Sequence, residues 1–453
     1  MSRRCCPKVS TLIRSSNFPE FSVRRLLVLI LTATLALAVG CGGGSSKSTS
    51  TSSPGSNILS ISVDGGPTAN ETGGSIYRNA AFASATVCVP GSTSSCVTVD
   101  HLLVDTGSYG LRVLESEIDP LNLPAINASN GSPAYDCVSF ADGSYLWGSV
   151  QQASVSLGAE TASNLPIQVV TISSSGIPAS CSNGSTMDEN TQASLGANGV
   201  LGVGLEPTDC FSRGASPCDP GSGLSTPPSG AYYTCSGAPC SPAFISKDSQ
   251  VTNPVVLFAT DNNGLIVELP AVLGSAATVS GSLIFGIGTE SNNQVSGATV
   301  FTLTCDDFTT KFDNNSYGIT NASTCAGPGS FIDSGSNGLY FPNAANIPVC
   351  PNNTPAGNLS SYYCPTSTEN LSATNIGANG ASKTTSFSVA NAETLLTTTS
   401  TLSDAAFSGL AGLNPSGAGF DWGLPFFYGV NVYSSIDGQS MPSGQPAAPW
   451  WAY

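Results

Sequence analysis

Charge is scarce in this chain. Asp, Glu, Lys and Arg together make up 9% of its 453 residues, with 13 basic against 29 acidic side chains and a formal net charge of −16. So few cations make a poor match for nucleic acid or for an anionic membrane surface. Histidine occurs once, at His101. One imidazole argues against Ser-His-Asp and Cys-His catalysis and excludes a metal site built from several histidines. Long amphipathic helical runs are missing too. In their place are 49 Gly, 30 Pro and abundant Ser and Thr, which punctuate short apolar runs such as AFASATVCV, CVTVDHLLV and PIQVVTI. Hydrophobic residues reach 40%, enough for a core and too many for disorder. Short apolar runs between turn formers predict an all-β protein. VVLFATDNNGLIVELP predicts a hairpin turning at Asp-Asn-Asn-Gly. Residues 343–400, rich in Asn, Thr and Ser, read as loop.

The N-terminus reads as a targeting segment. In VRRLLVLILTATLALAVGC, Arg24 and Arg25 precede an apolar run that ends in small residues before Cys41. An apolar stretch of about fifteen residues is short for a membrane span. LAVGC resembles the lipobox of bacterial lipoproteins, which implies that residues 1–40 are removed and that Cys41 carries a lipid into the membrane. Gly42 at the next position fits an outer-membrane protein facing the periplasm. Residues 41–57, CGGGSSKSTSTSSPGSN, are then a flexible tether.

Of fifteen cysteines, Cys5 and Cys6 lie in the removed segment and Cys41 bears the lipid, leaving twelve. An even count in an exported protein reads as disulfides. Cys88 and Cys96 flank VPGSTSS, and Cys235 and Cys240 flank SGAP, so each pair can close a short loop. Cys210 with Cys218, Cys305 with Cys325 and Cys350 with Cys364 are similar candidates, which leaves Cys137 with Cys181; sequence alone leaves other pairings open. Without a CxxC pair or supporting histidines, zinc is the poorer reading. Neither a metal nor another cofactor is expected.

Two segments align without gaps: LLVDTGSYGLRV at residues 102–113 and SFIDSGSNGLYF at 330–341. Each is followed much later by an apolar run into glycine, GVLGVGL around Gly202 and FDWGLPFF around Gly423. Two lobes on one plan follow: residues 58–290, carrying a Cys/Pro/Gly-rich insertion at 206–250, and residues 291–453. A pair of ordinary β-turns would also use Asp and Gly, but two copies behind apolar strands favour chemistry. A strand delivers Asp105 and another Asp333 to the lobe interface. Gly107 and Gly335 let the backbone turn beside them, and the hydroxyls of Thr106, Ser108, Ser334 and Ser336 can orient the carboxylates. Two carboxylates about 3 Å apart cannot both ionise and so share a proton. One acts as base on a water while the other acts as acid toward a carbonyl.

With these motifs the chain resembles the pepsin-like aspartic proteases over most of residues 75–440. It also resembles a family of bacterial lipoproteins of unknown function. Asp105-Thr106-Gly107-Ser108 and Asp333-Ser334-Gly335-Ser336 match the two catalytic motifs. SFADGSYLWGSVQQASVSLG (139–158), with Phe140, Asp142 and Gly143 at its turn, is similar to the flap hairpin. NGVLGVGL (198–205), GSLIFGIGTE (281–290) and DWGLPFFYGVNVYSSIDGQ (421–439) follow in the family's order. The resemblance implies a bilobal all-β fold, two related β-barrel lobes with a cleft between them, and a peptide or protein held in that cleft. Two positions depart from the family: Phe140 stands where a flap tyrosine is usual, and Arg112 falls where a tryptophan is common. Tyr135 and Tyr145 are the candidates for a replacement hydroxyl. His101 reads as a strand-edge residue, and Trp450 and Trp451 as packing residues.

The expectation is a lipid-anchored aspartic endopeptidase of the cell envelope. The alternative is a pepsin-fold binding lipoprotein with little or no catalysis, which the altered flap and the insertion favour. A paired-carboxylate glycosidase is more distant, since its carboxylates would stand over about 5 Å apart.

Overall fold

The computed structural model describes residues 57–69, 75–172, 176–182, 185, 187–211, 215–354, 357–398, 402–414 and 419–453. The signal segment, Cys41 and, apart from Asn57, the tether lie outside these residues. The fold is all-β; the longest described helix is the six-residue Ala392–Thr397.

Strands β1 (Ile58–Val63), β2 (Phe82–Cys88), β3 (Cys96–Asp105), β4 (Tyr109–Leu114), β5 (Ala134–Ser139), β6 (Tyr145–Leu157), β7 (Glu160–Val170) and β8 (Gly199–Val203) build the N-terminal half. Pairing runs β2 to β3, β3 to β8, β8 to β4, β4 to β7, β7 to β6 and β6 back to β2. That ring is a closed six-stranded barrel. Successive strand residues face opposite sides. Leu102, Val104, Leu111, Val113, Leu201 and Val203 fill the inside. Leu103, Leu114, Val170 and Val200 face outward, where Val138, Phe140 and Leu146 of the β5–β6 hairpin cover them. Burial on both faces explains the unbroken apolar runs in these strands.

β1 pairs with Val279–Phe285, and the sheet continues strand by strand through Gly264–Glu268, Val432–Ser435 and Trp450–Ala452 to Val300–Thr302. One sheet therefore joins both halves of the chain. Trp450 and Trp451, at 0% and 2% exposure, pack within it. The C-terminal half adds a four-stranded sheet of Phe331–Ile332, Asp421–Trp422, Leu339–Phe341 and Ala411–Leu413. Its core is aromatic: Phe341 stacks on Phe420, and Phe420 on Trp422.

Two sequence expectations fail. VVLFATDNNGLIVELP is not a hairpin. Pro254–Leu257 is a 3-10 turn started by Pro254 and by the Asn253 side chain accepting from Val255 N–H, and only Gly264–Glu268 is a strand. Residues 343–400 are not all loop, because Glu369–Ile376 pairs with Ser382–Val389 over eight residues. The β-branched threonines there suit a strand whose outer face is polar; Thr374 and Thr384 face each other across it with hydroxyls 2.9 Å apart.

Six disulfides join Cys88 to Cys96, Cys137 to Cys181, Cys210 to Cys218, Cys235 to Cys240, Cys305 to Cys325 and Cys350 to Cys364. Five close loops of 20 residues or fewer, as the spacing suggests; the sixth closes 44. The insertion at 206–250 is not a free appendage: its strand β9 (Tyr232–Thr234) pairs with β5 and widens the hairpin sheet.

Candidate active site

β3 ends at Asp105, directly across from Gly202 of the parallel strand β8. The chain turns through Thr106, Gly107 and Ser108 and returns as β4, antiparallel to β8 on its other side. The second repeat is built alike. Phe331–Ile332 runs parallel to Asp421–Trp422 and leads to Asp333, whose N–H donates to Trp422 O at 3.1 Å. Leu339–Phe341 then returns antiparallel to Asp421–Trp422. Each aspartate thus leaves a strand at a turn that straddles a third strand.

The two turns clasp each other. Thr106 N–H donates to Ser334 Oγ at 3.1 Å, and Ser334 N–H donates to Thr106 Oγ1 at 2.9 Å. Ser334 Oγ–H continues to Val104 O at 2.7 Å. These reciprocal bonds press the loops so close that a Cβ on Gly107 would stand 2.7 Å from Asp333 Cγ; glycine is required there by contact. Each aspartate is oriented by its own turn. Gly107 N–H and Ser108 Oγ–H donate to Asp105 at 2.9 and 2.5 Å, and Gly335 N–H and Ser336 Oγ approach Asp333 at 2.8 Å each. Asp105 is a hydrogen-bond partner of Asp333. Burial, reinforced by the Asp105 and Asp421 carboxyls, pushes Asp333 well above the ordinary carboxylate range. The arrangement suits one acid and one base on a shared proton. Among the described residues, no group of three or more His, Cys, Asp or Glu is placed to hold a metal.

Both carboxyls are 0% exposed. Asn79 links the halves beside them: its Nδ2 donates to Asn337 O at 2.9 Å and Phe407 O at 3.0 Å, while Tyr428 Oη–H donates to its Oδ1 at 2.8 Å. Phe140, at the β5–β6 turn, is 4% exposed. It packs in one cluster with Leu103, two residues before Asp105, and with Tyr77, Phe82 and Val200. Asp142 and Gly143 shape that turn: Asp142 Oδ1 accepts from Ser144 N–H at 2.9 Å, and Gly143 takes a φ of +91°. Tyr135 and Tyr145 belong to the hairpin's other face, with Trp147 and the Cys137–Cys181 disulfide, apart from the Phe140 cluster. Neither supplies a hydroxyl at the Phe140 position.

Arg112 explains the second departure. It is 1% exposed and pairs with Asp136 of β5 and, at 3.1 Å, with Asp209 of the insertion. Its Nη1 also donates to Gln168 Oε1 at 2.8 Å. Tyr232 of β9 donates to Asp209 and accepts from Val251 N–H at 2.7 Å. Burial, then the nearby Asp136 charge, pushes Asp209 well above its ordinary range; Arg112 stays charged against its burial because Asp136 and Asp209 face it. Barrel, hairpin and insertion are thereby tied together beneath the surface. Arg112 stands out in the sequence only as a departure from the family; its partners and Asp421 do not. Elsewhere, a cavity of about 410 Å³ lies against the hairpin's outer face, lined by Tyr135, Trp147, Glu115 and the Cys235–Cys240 loop.

Among solved structures, the chain is similar to an aspartic proteinase from Irpex lacteus, with 15% identity, a TM-score of 0.43, and coverage of 83% of this chain and 93% of that one. At that overlap the architecture is read from the strand pairings themselves. No curated protein matches the chain. It matches the family described as "Protein of unknown function (DUF3443)" over residues 53–453, and it belongs to that family.

Proposed function

We propose that this chain is an aspartic peptidase whose dyad is Asp105 and Asp333. The observation that carries the reading is the reciprocal Thr106–Ser334 clasp, which holds two hydrogen-bonded carboxyls in a turn frame with both glycines and all four hydroxyls present. In this reading Asp333 holds the shared proton and donates it to the peptide carbonyl, and Asp105 takes a proton from the attacking water. Neither carboxyl is exposed, so in this reading a peptide enters after a movement, and the β5–β6 hairpin, whose Phe140 packs with Leu103 two residues before Asp105, is the element proposed to move. We also propose that the protein is tethered through a lipid on Cys41 to the bacterial envelope, a reading that rests on the Arg24–Cys41 segment. Exchanging Cys41 for Ala is expected to release the protein from membranes; an intact leader on the mature chain would refute that anchor.

The test of the dyad compares wild type with Asp105→Asn and Asp333→Asn on a peptide library from acid to neutral pH, with and without a statine-type inhibitor. Acid-favoured cleavage is expected, lowered by about 10²–10⁴ in either variant. Equal cleavage by all three proteins at every pH, with no inhibitor binding, would sink the peptidase reading. The buried carboxyls and the separate cavity beside Tyr135 and Trp147 favour a second reading, a binding protein of the same fold. In that case both Asn variants would bind the partner as wild type does.

A further inference from the structure

Asp421 begins the strand that the second repeat straddles and is 1% exposed. The Ser336 hydroxyl stands between it and the dyad, with Oγ 2.8 Å from Asp333 Oδ2 and 2.7 Å from Asp421 Oδ2. A serine hydroxyl carries one hydrogen. It can donate to one of these carboxyls; the other contact then needs a proton carried by the carboxyl itself. If the dyad's proton lies between Asp333 and Asp105, the proton on the Ser336 side belongs to Asp421.

We propose that Asp421 is a positioning residue that shares a proton with Asp333 through Ser336, so that three carboxyls rather than two govern the site. The catalytic consequence rests on the peptidase reading above. The step balances: the Asp421 proton passes to Ser336 Oγ as the hydroxyl's own proton passes to Asp333 Oδ2. Asp421 is left as carboxylate, Asp333 becomes the acid, and the serine is unchanged. Of the two strands flanking Asp421, Phe331–Ile332 brings no titratable side chain and leads to Asp333, with Asp105 behind it; Leu339–Phe341 brings Tyr340. The Tyr340 hydroxyl donates to Asn337 Oδ1 at 2.6 Å, and burial holds it far above its usual pKa. It stays neutral, and exchange is confined to the carboxyls. The first repeat has no such device: Val200 occupies the matching register opposite Leu103.

Asp421→Asn keeps a donor for Ser336 but cannot titrate, and Asp421→Val copies the first repeat. Infrared spectra of the full chain near pH 6 count protonated buried carboxyls whether or not the protein cleaves anything. Wild type is expected to show one more acid carbonyl band than either variant. Where peptide cleavage is measured, the descending limb of the pH profile is expected to move down by about one unit in Asp421→Asn, because Asp333 can no longer draw on the Asp421 proton through Ser336. A merely structural Asp421 would lower the rate equally at every pH. An unchanged band count overturns the relay, as do superimposable pH profiles in an active protein. An inactive wild type with the extra band would remove the peptidase reading and leave the proton link standing.

Discussion

The two repeats share a backbone plan but distribute charge differently. In the first, the carboxyls that accompany Asp105 are kept apart from it: Arg112 on β4 holds Asp136 and Asp209 beneath the hairpin. In the second, Tyr340 takes the position that aligns with Arg112, and its hydroxyl bonds neutral groups, Asn337 and, at 3.2 Å, Tyr362. The second buried carboxyl is instead Asp421, one hydroxyl away from Asp333. Ser108 serves one carboxyl and Ser336 two. One frame can therefore house a buried carboxyl either by pairing it with a cation or by letting it share a proton.

The largest contrast is expected at the aligned pair. Arg112→Met leaves two buried carboxyls without their cation, and breaking a buried ion pair from one side costs about 3–5 kcal/mol. Tyr340→Phe removes two neutral hydrogen bonds, each worth about 0.5–1.5 kcal/mol. Denaturant unfolding of both variants measures the difference; equal losses would mean that Arg112 and Tyr340 play interchangeable packing roles. Exchanging the residues that face β3 and its counterpart strand gives a smaller contrast. Val200→Asp places a carboxyl among Leu103, Phe140 and Leu114, at a cost above about 2 kcal/mol. Asp421→Val is expected to cost less than that, because Ser336 keeps Asp333 as a partner. A larger loss in Asp421→Val would reverse the comparison.

Much of this was legible in the chain. The repeat put Asp105 and Asp333 at the ends of apolar strands because a strand buried on both faces reads as a continuous apolar run. Short gaps between cysteines suggested the loops they close, since proximity in sequence is then proximity in space. The partners of Arg112 and the role of Asp421 were missed because the contacting residues lie far apart along the chain: Asp209 is 97 residues from Arg112, and Asp421 is 85 from Ser336. A signal was nonetheless present. In a chain with 9% charge, Arg112 in YGLRVL and Asp136 in AYDCVS interrupt strands that are otherwise apolar or small, and a charge inside such a strand demands a buried partner. The Thr-rich strands at 369–389 were missed for a different reason, because a polar outer face resembles a loop in composition.

The smallest effect is expected within β3, at the irregularity in its pairing with β2 just before the first repeat, where the chain's one histidine stands. His101 lies 3.5 Å from Asp64 and 3.0 Å from Asp100. Its hydrogen bond to Asp64, working against partial burial and helped by Asp100, raises its pKa to about 9. A histidine raised in the folded state stabilises it while protonated in both states, below its ordinary value near 6.5. The contribution shrinks as pH climbs from there and is gone once pH passes about 9. The ring is partly open to solvent, so screening limits the gain to less than about 1 kcal/mol. Thermal unfolding of wild type and His101→Gln at pH 6 and pH 10 measures it. Wild type is expected to melt slightly higher than the variant at pH 6 and equally at pH 10, with the gap narrowing as salt is added. A gap that persists at pH 10 would assign His101 a packing role against Phe82, whose ring lies 5.4 Å away, in place of the ion pair.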